Sequence, residues 1–349
     1  MKKTFLKKIC TYVLLMFSFL GYCQEKKLSK EETELIYEIS YNFTKDIFSK
    51  PKYFFKKKSF NDQEYFPISK NKKAVLEQAT DSLSKFAKIK FVNNEHFSSV
   101  IMNSKFPSFF EENAKFSSNI ISIEVLKSFL WDKNHDSIKI SDGGGTSFGT
   151  DFKYILKDNK EKNLNYITVN RQSQITKPSQ PKEPIKGKID YVIKVITDYD
   201  KVTLNAKETG RKFTLNGNVY TLKYVFENKI VIEKEKEDRE TEINIINFSS
   251  DNKKILVPKT LDDTLTEKEK KEFWEISAVK KGSYYKKIFD FFSENPNSSL
   301  EEFKSNFPIE KLLKEKETYF IISITSPIEN DFILYSPIYG FQKEFSLDL

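Results

Sequence analysis

Apolar positions recur every three to four residues from Leu35 through Ile36, Ile39 and Phe43 to Ile47, and Pro51 stops the run. Ser29-Lys30-Glu31-Glu32 precedes it as a capping box: a serine oxygen takes an orphan amide while a glutamate three residues on reaches back. A second helix is predicted from near Ser69, with Val75, Leu76, Ala79, Leu83 and Phe86 on one face. A third, shorter helix is predicted over Ile121 to Trp131. After it the period changes from helical to alternating. Phe152-Tyr154-Leu156 and Leu164-Tyr166-Thr168 flank the polar turn 158–163 and predict a hairpin.

Thr176 to Lys188 holds three prolines, one glycine and a single large hydrophobe, Ile185, which predicts a semi-rigid linker. Beyond it come short β-branched or aromatic runs at Tyr191–Ile196, Val202–Leu204, Lys212–Leu215, Val219–Phe226, Lys229–Glu233, Thr241–Phe248 and Lys253–Val257. Turn signals separate them, among them Asn216-Gly217, a strong hairpin marker. Tyr284, Ile288, Phe291 and Phe292 predict a helix ended by Asn295-Pro296, with Ser298–Glu301 and Ser299–Glu302 as capping boxes for another. Strands return at Tyr319–Ile324, Phe332–Tyr335 and Phe341–Leu347. They either complete the preceding sheet or form a third unit.

The expected fold is therefore α+β: a helical module at 24–175 ending in a hairpin, a proline-rich linker at 176–188, and a β-rich module at 189–349 resembling an antiparallel sandwich or barrel. A helical insertion falls at about 264–316. A length of 349 residues agrees with about two domains. The 32 Phe and 17 Tyr supply enough large side chains for real cores, which excludes wholesale disorder.

The first residues change the picture again. Lys2, Lys3, Lys7 and Lys8 precede an apolar run from Tyr12 to Leu20, then Gly21-Tyr22-Cys23-Gln24. This is the pattern of a secretory signal peptide over residues 1–23, and its apolar run from Tyr12 to Leu20 is too short to span a bilayer. The expected location is the periplasm or the exterior. Leu20-Gly21-Tyr22-Cys23 also resembles a lipoprotein box, so Cys23 is a candidate lipidation site anchoring the chain to the outer or inner membrane, although Tyr22 is larger than the usual neighbour. Cys10 and Cys23 are the only cysteines, so from Gln24 onward a Cys nucleophile, a Cys-ligated zinc site and an iron–sulfur cluster are excluded. Four of the basic residues lie in the leader. From Gln24 onward 54 basic residues face 50 acidic ones, a balance unlike that of a dedicated nucleic-acid binder.

Candidate chemistry is sparse. Gly145-Thr146-Ser147-Phe148-Gly149 matches G-x-S-x-G, but both histidines, His96 and His135, precede Ser147, and a strand rather than a helix is expected next. Asp142-Gly143-Gly144-Gly145-Thr146 resembles the first phosphate motif of sugar-kinase and actin-like ATPases, without that family's later glycine turns. The segment is expected to be a loop entering the hairpin. His96 and His135 lie 39 residues apart, without a second ligand at i+3 or i+4 on a helix; Asp132 and Asp136 beside His135 leave room for a weak metal site, but an exposed histidine in a polar turn is the expectation. No catalytic, cofactor-binding or metal residue is expected. Carboxylate pairs of glycosidase type are left open, since the separation that matters is not written in sequence.

The most contact-like stretch interleaves basic and aromatic residues: Lys52, Phe54, Phe55, Lys56, Lys57 and Lys58. It would suit an anionic membrane surface, with lysines at headgroups and rings at the boundary. Against that stands a plainer role, rings capping a core and lysines left in water. Ser82, Ser137 and Thr264 lie in Asp-(Ser/Thr)-aliphatic triplets resembling bacterial periplasmic O-glycosylation acceptors. The functional expectation is an exported, non-catalytic envelope protein that binds a protein or a surface glycan and no nucleic acid. The alternatives are an extracytoplasmic hydrolase of carboxylate type and a lipid-anchored structural protein docked on the membrane.

Overall fold

The computed structural model describes residues 29–93, 98–107, 120–141, 145–157, 160–175, 183–184, 186–235, 242–251 and 253–349, without the side chains of 152–157 and 160–165. The helices are α1 (Lys30–Phe48), α2 (Asp62–Tyr65), α3 (Lys73–Phe86), α4 (Glu267–Ile276), α5 (Lys286–Glu294), α6 (Leu300–Asn306) and α7 (Ile309–Leu312). Through the first half run β1 (Phe55–Ser59), β2 (Lys88–Asn93), β3 (Ser98–Pro107), β4 (Ile121–Trp131), β5 (Ser137–Ile138), β6 (Ile140–Ser141), β7 (Thr146–Lys157) and β8 (Lys160–Ile175). Next come β9 (Lys186–Val195), β10 (Asp198–Asn205), β11 (Lys212–Leu215), β12 (Asn218–Phe226), β13 (Lys229–Lys234), β14 (Asn244–Asn247) and β15 (Lys254–Pro258). The last four are β16 (Lys280–Tyr285), β17 (Thr318–Ser323), β18 (Asp331–Ile338) and β19 (Phe341–Asp348). The fold is mixed α+β with several antiparallel sheets and, among the described residues, no closed barrel. No described helix is long and apolar enough to cross a membrane.

The chain forms two compact units that are discontinuous in sequence. One comprises the described residues of Met1–Ser59, Val202–Arg239 and Ile245–Ile333. The other comprises those of Phe60–Lys201, Glu240–Asn244 and Leu334–Leu349. In the first, a five-stranded sheet runs β11-β12-β13-β17-β16, and β1 pairs with β15. Val231, Tyr319 and Ile321 on one sheet face pack against Ile47 of α1 and Phe289 of α5. Tyr37, Ile288, Phe292, Phe303 and Leu312 then join α1 to α5, α6 and α7. In the second unit, sheets β19-β9-β4-β5 and β2-β3-β8-β6, with β7 on β8, share a core with Leu76, Ala79 and Leu83 of α3. The strands β10-β18-β14 form a further three-stranded sheet.

Several expected elements are present. The Ser29 capping box opens α1, Ser299 with Glu302 opens α6, and Thr266 with Glu269 opens α4 in the same way. Asn216 and Gly217 turn β11 into β12 with φ of 50° and 73°, the positive values that a two-residue hairpin needs. The hairpin expected around Phe152–Thr168 is β7–β8, longer than predicted. The C-terminal strands join existing sheets: β17 lies between β13 and β16, and β19 pairs with β9.

Three expectations are corrected. Residues 121–131 are not a helix but strand β4, paired antiparallel with β9 from Ile121↔Val195 to Trp131↔Lys186. Ile121, Ile123 and Val125 are β-branched and alternate, and a bulge between Val125 and Lys127 disguises the alternation afterwards. The second helix begins at Lys73, not Ser69: Lys72 before it is extended, and Ser69 lies outside the helix with its amide donating to the Ile196 carbonyl at 2.9 Å. Lys186, Gly187 and Lys188, assigned to the linker, open β9 and pair with β4. Residues 176–182 and Ile185 lie outside the described residues.

Candidate functional site

The residues singled out in sequence do not converge. Residues 1–28, including Cys23, and His96 lie outside the described residues, as do Asp142, Gly143 and Gly144. Ser147 is an ordinary exposed residue of β7, paired with Asn170, and not a strained strand-to-helix turn. His135 occupies a tight turn with φ of 64°. The Asp132 carboxylate is committed to that turn, accepting the amides of Asn134 and Asp136 at 2.9 Å each. No cluster of three metal-ligating side chains occurs among the described residues.

The basic-aromatic segment is folded in. Phe54 is 1% exposed and meets Phe273 edge-on at 5.8 Å, so it is not a surface contact. Phe55 begins β1 opposite Pro258 and is half-buried. Lys52 pairs with Glu272 at 3.0 Å and Lys56 with Asp263 at 2.6 Å, and Lys57 and Lys58 are exposed on opposite faces of β1. Burial of the ring follows from strand pairing that the local sequence does not reveal. Ser82 is half-buried on α3 beside Asp81, which binds Lys343 at 2.7 Å; Ser137 and Thr264 are exposed.

The Asp263 carboxylate accepts from Lys56 Nζ and from the amide and hydroxyl of Thr260, and these bonds, Lys56 first, hold its pKa at about 2. A folded pKa below the unfolded value contributes stability above the ordinary carboxylate range, lost as pH falls through about 2. Lys56→Met is expected to move the Asp263 midpoint up toward ~3.9 in a carboxyl NMR titration. An unmoved midpoint would assign the shift to Thr260 alone.

The concave site that does form is built mainly of tyrosine. In β18, Tyr335 and Pro337 alternate on one face, and Tyr339 continues the same face just beyond the strand. With Tyr199 of β10, Tyr65 at the end of α2, Ile120, Ser122, Glu64 and Glu242 they enclose a cavity of about 350 Å³. Phe66 is wedged edge-on between Tyr199 at 5.2 Å and Tyr335 at 5.0 Å, and these two tyrosines meet at 5.9 Å. Tyr199 is further pinned by donating its hydroxyl to the Pro67 carbonyl at 3.1 Å. Rings fixed edge-to-face offer rigid walls at small entropic loss.

Burial pushes the Tyr199 phenol upward and raises Tyr335 and Tyr339 to about 12, with the Glu242 charge adding to each. All three remain neutral hydroxyl donors at physiological pH. Tyr339 makes a long hydrogen bond, 3.4 Å, to Glu242 Oε2, whose other oxygen accepts from Asn244 Nδ2 at 3.0 Å. Among the described residues no lysine or arginine lines this cavity. Aromatic faces, neutral donors and carboxylate acceptors together suit a neutral polyhydroxy ligand and disfavour an anion.

Sequence reasoning passed over this site because its tyrosines are scattered from residue 65 to residue 339. The one local signal was Tyr335-Ser336-Pro337-Ile338-Tyr339, two aromatics at an even spacing in a strand. Compared with protein-family models, with curated proteins and with solved structures, the chain matches none.

Proposed function

We propose that this chain is an exported envelope protein that acts by binding, and that its tyrosine-lined cavity takes a neutral segment of a surface glycan. The observation carrying this reading is the convergence of Tyr199, Tyr335 and Tyr339 with the carboxylates of Glu64 and Glu242 around one cavity. Ring faces pack on the C–H faces of a sugar, and hydroxyl and carboxylate groups exchange hydrogen bonds with its oxygens. The basic and apolar run from Lys2 to Leu20 supports export. Burial of Phe54 removes one anchor from the membrane-docking alternative.

Tyr339→Ala removes a wall and a donor without touching the Phe66 wedge. It is expected to weaken binding of neutral oligosaccharides at least tenfold by isothermal titration. Wild-type protein that binds no oligosaccharide on a broad neutral glycan array would overturn the reading. A second reading, hydrolysis, is favoured by the presence of two carboxylates, Glu64 and Glu242, on one cavity. Turnover of a bound oligosaccharide that disappears in Glu242→Gln would select it over simple binding.

A further inference from the structure

A second cavity, of about 500 Å³, lies in the unit built on the β11-β12-β13-β17-β16 sheet. One part of its wall is apolar: Phe43 stacks on Tyr284 at 4.8 Å with planes 9° apart, beside Ile47, Ile321 and Ile324. Lys229 and Asn228 also line it. Lys229 precedes Val231 by two positions in β13, so both side chains leave the sheet on one face. Val231 packs with Ile47 and Ile321, which are cavity residues, and this places the Lys229 stem on the cavity side.

The amine is in an unusual position. Lys229 is 6% exposed, yet among the described residues its Nζ has one hydrogen-bond acceptor, Asn228 Oδ1 at 2.9 Å, and no carboxylate within ion-pair distance. Asn228 is itself held by donating Nδ2 to the Ile324 carbonyl. The ring centroid of Phe226 lies 5.5 Å from Nζ. An ammonium carries three donors, and leaving buried donors unmet is costly. Burial pushes the Lys229 pKa down; Glu227 opposes this and Lys280 adds to it. At the rim lie the exposed Lys50, Lys280 and Lys281 together with Asp46 and Glu275, and Lys52 pairs with Glu272.

We propose that this cavity binds an organic carboxylate with an apolar body, the carboxylate accepting from the Lys229 ammonium and the body lying along Phe43, Ile47 and Ile321. A monoanion matches the single buried charge. A phosphate dianion would need a second buried cation, and the rim lysines are in solvent. The apolar wall accounts for the remaining volume, which a small inorganic anion would leave unfilled.

The probe is decanoate, titrated calorimetrically into the whole protein with decanol as the uncharged control. Wild type is expected to bind decanoate saturably at one site and decanol at least tenfold more weakly. Binding at alkaline pH, where the amine is partly deprotonated, is expected to take up protons, because the bound anion favours the charged amine; buffers of different ionisation enthalpy read this directly. Lys229→Met, checked by circular dichroism, is expected to lose at least tenfold in decanoate affinity and to lose the proton uptake. Equal binding of decanoate and decanol by wild type, or unchanged decanoate affinity in a folded Lys229→Met, would overturn the proposal. If that variant does not fold, the wild-type pair of titrations and the proton uptake decide alone. None of these outcomes bears on the tyrosine cavity, which shares no residue with this one.

Discussion

Phe292→Ala is expected to destabilise its unit by about 3–5 kcal/mol, the range for removing a large ring from a packed core. Phe292 lies on α5, fully buried, with ring centroids of Phe291 at 5.3 Å, Phe303 at 5.6 Å, Tyr41 at 5.7 Å and Phe48 at 6.4 Å. Those rings come from α1, α5 and α6, so no single backbone shift closes the void. Urea unfolding followed by near-ultraviolet circular dichroism checks this: the midpoint should fall with little change in slope. A loss below ~1 kcal/mol would mean that the helices collapse onto the gap and that the aromatic cluster is loosely packed.

Gly187→Ala is expected to be comparably damaging in the other unit, by about 3 kcal/mol or more, from added backbone strain and overpacking together. Gly187 has φ of 153°, and a methyl there would sit 2.2 Å from the Phe129 carbonyl oxygen and 2.8 Å from Leu130 Cα. Both are backbone atoms of β4, which pairs with β9 through this position. The methyl can be admitted only by parting the two strands. Faster hydrogen exchange at Ile189, Tyr191 and Ile193 should accompany the loss. Gly145→Ala serves as the control, since nothing lies within 4 Å of a methyl at that position; equal effects from both would remove the clash as the cause.

Gly187 also shows where sequence reading stops. In one dimension it belongs to a proline-rich stretch that looks like a linker; in the fold it is a close approach between strands. The same holds for Phe54, one ring of a basic-aromatic run in sequence and a buried core residue once β1 pairs with β15. Ile121–Trp131 adds a third case, where a bulge broke the alternation that would have announced a strand. In each, the deciding contact comes from residues more than fifty positions away in the chain.

What the sequence determined by itself was local. The capping box at Ser29, the box at Ser299–Glu302, the Asn216-Gly217 turn and most strands after residue 186 act within a few residues. They are set by side chain–backbone hydrogen bonds and by side-chain periodicity, both readable in order. The same periodicity established the α+β class, and composition excluded cysteine chemistry beyond Gln24. Tertiary structure alone decided which strands pair, how the chain divides into units, and where cavities open. Tyr65, Tyr199, Tyr335 and Tyr339 become a site, and Lys229 becomes a buried amine, only because sheet pairing brings distant segments together. No local period or motif records such non-local contacts.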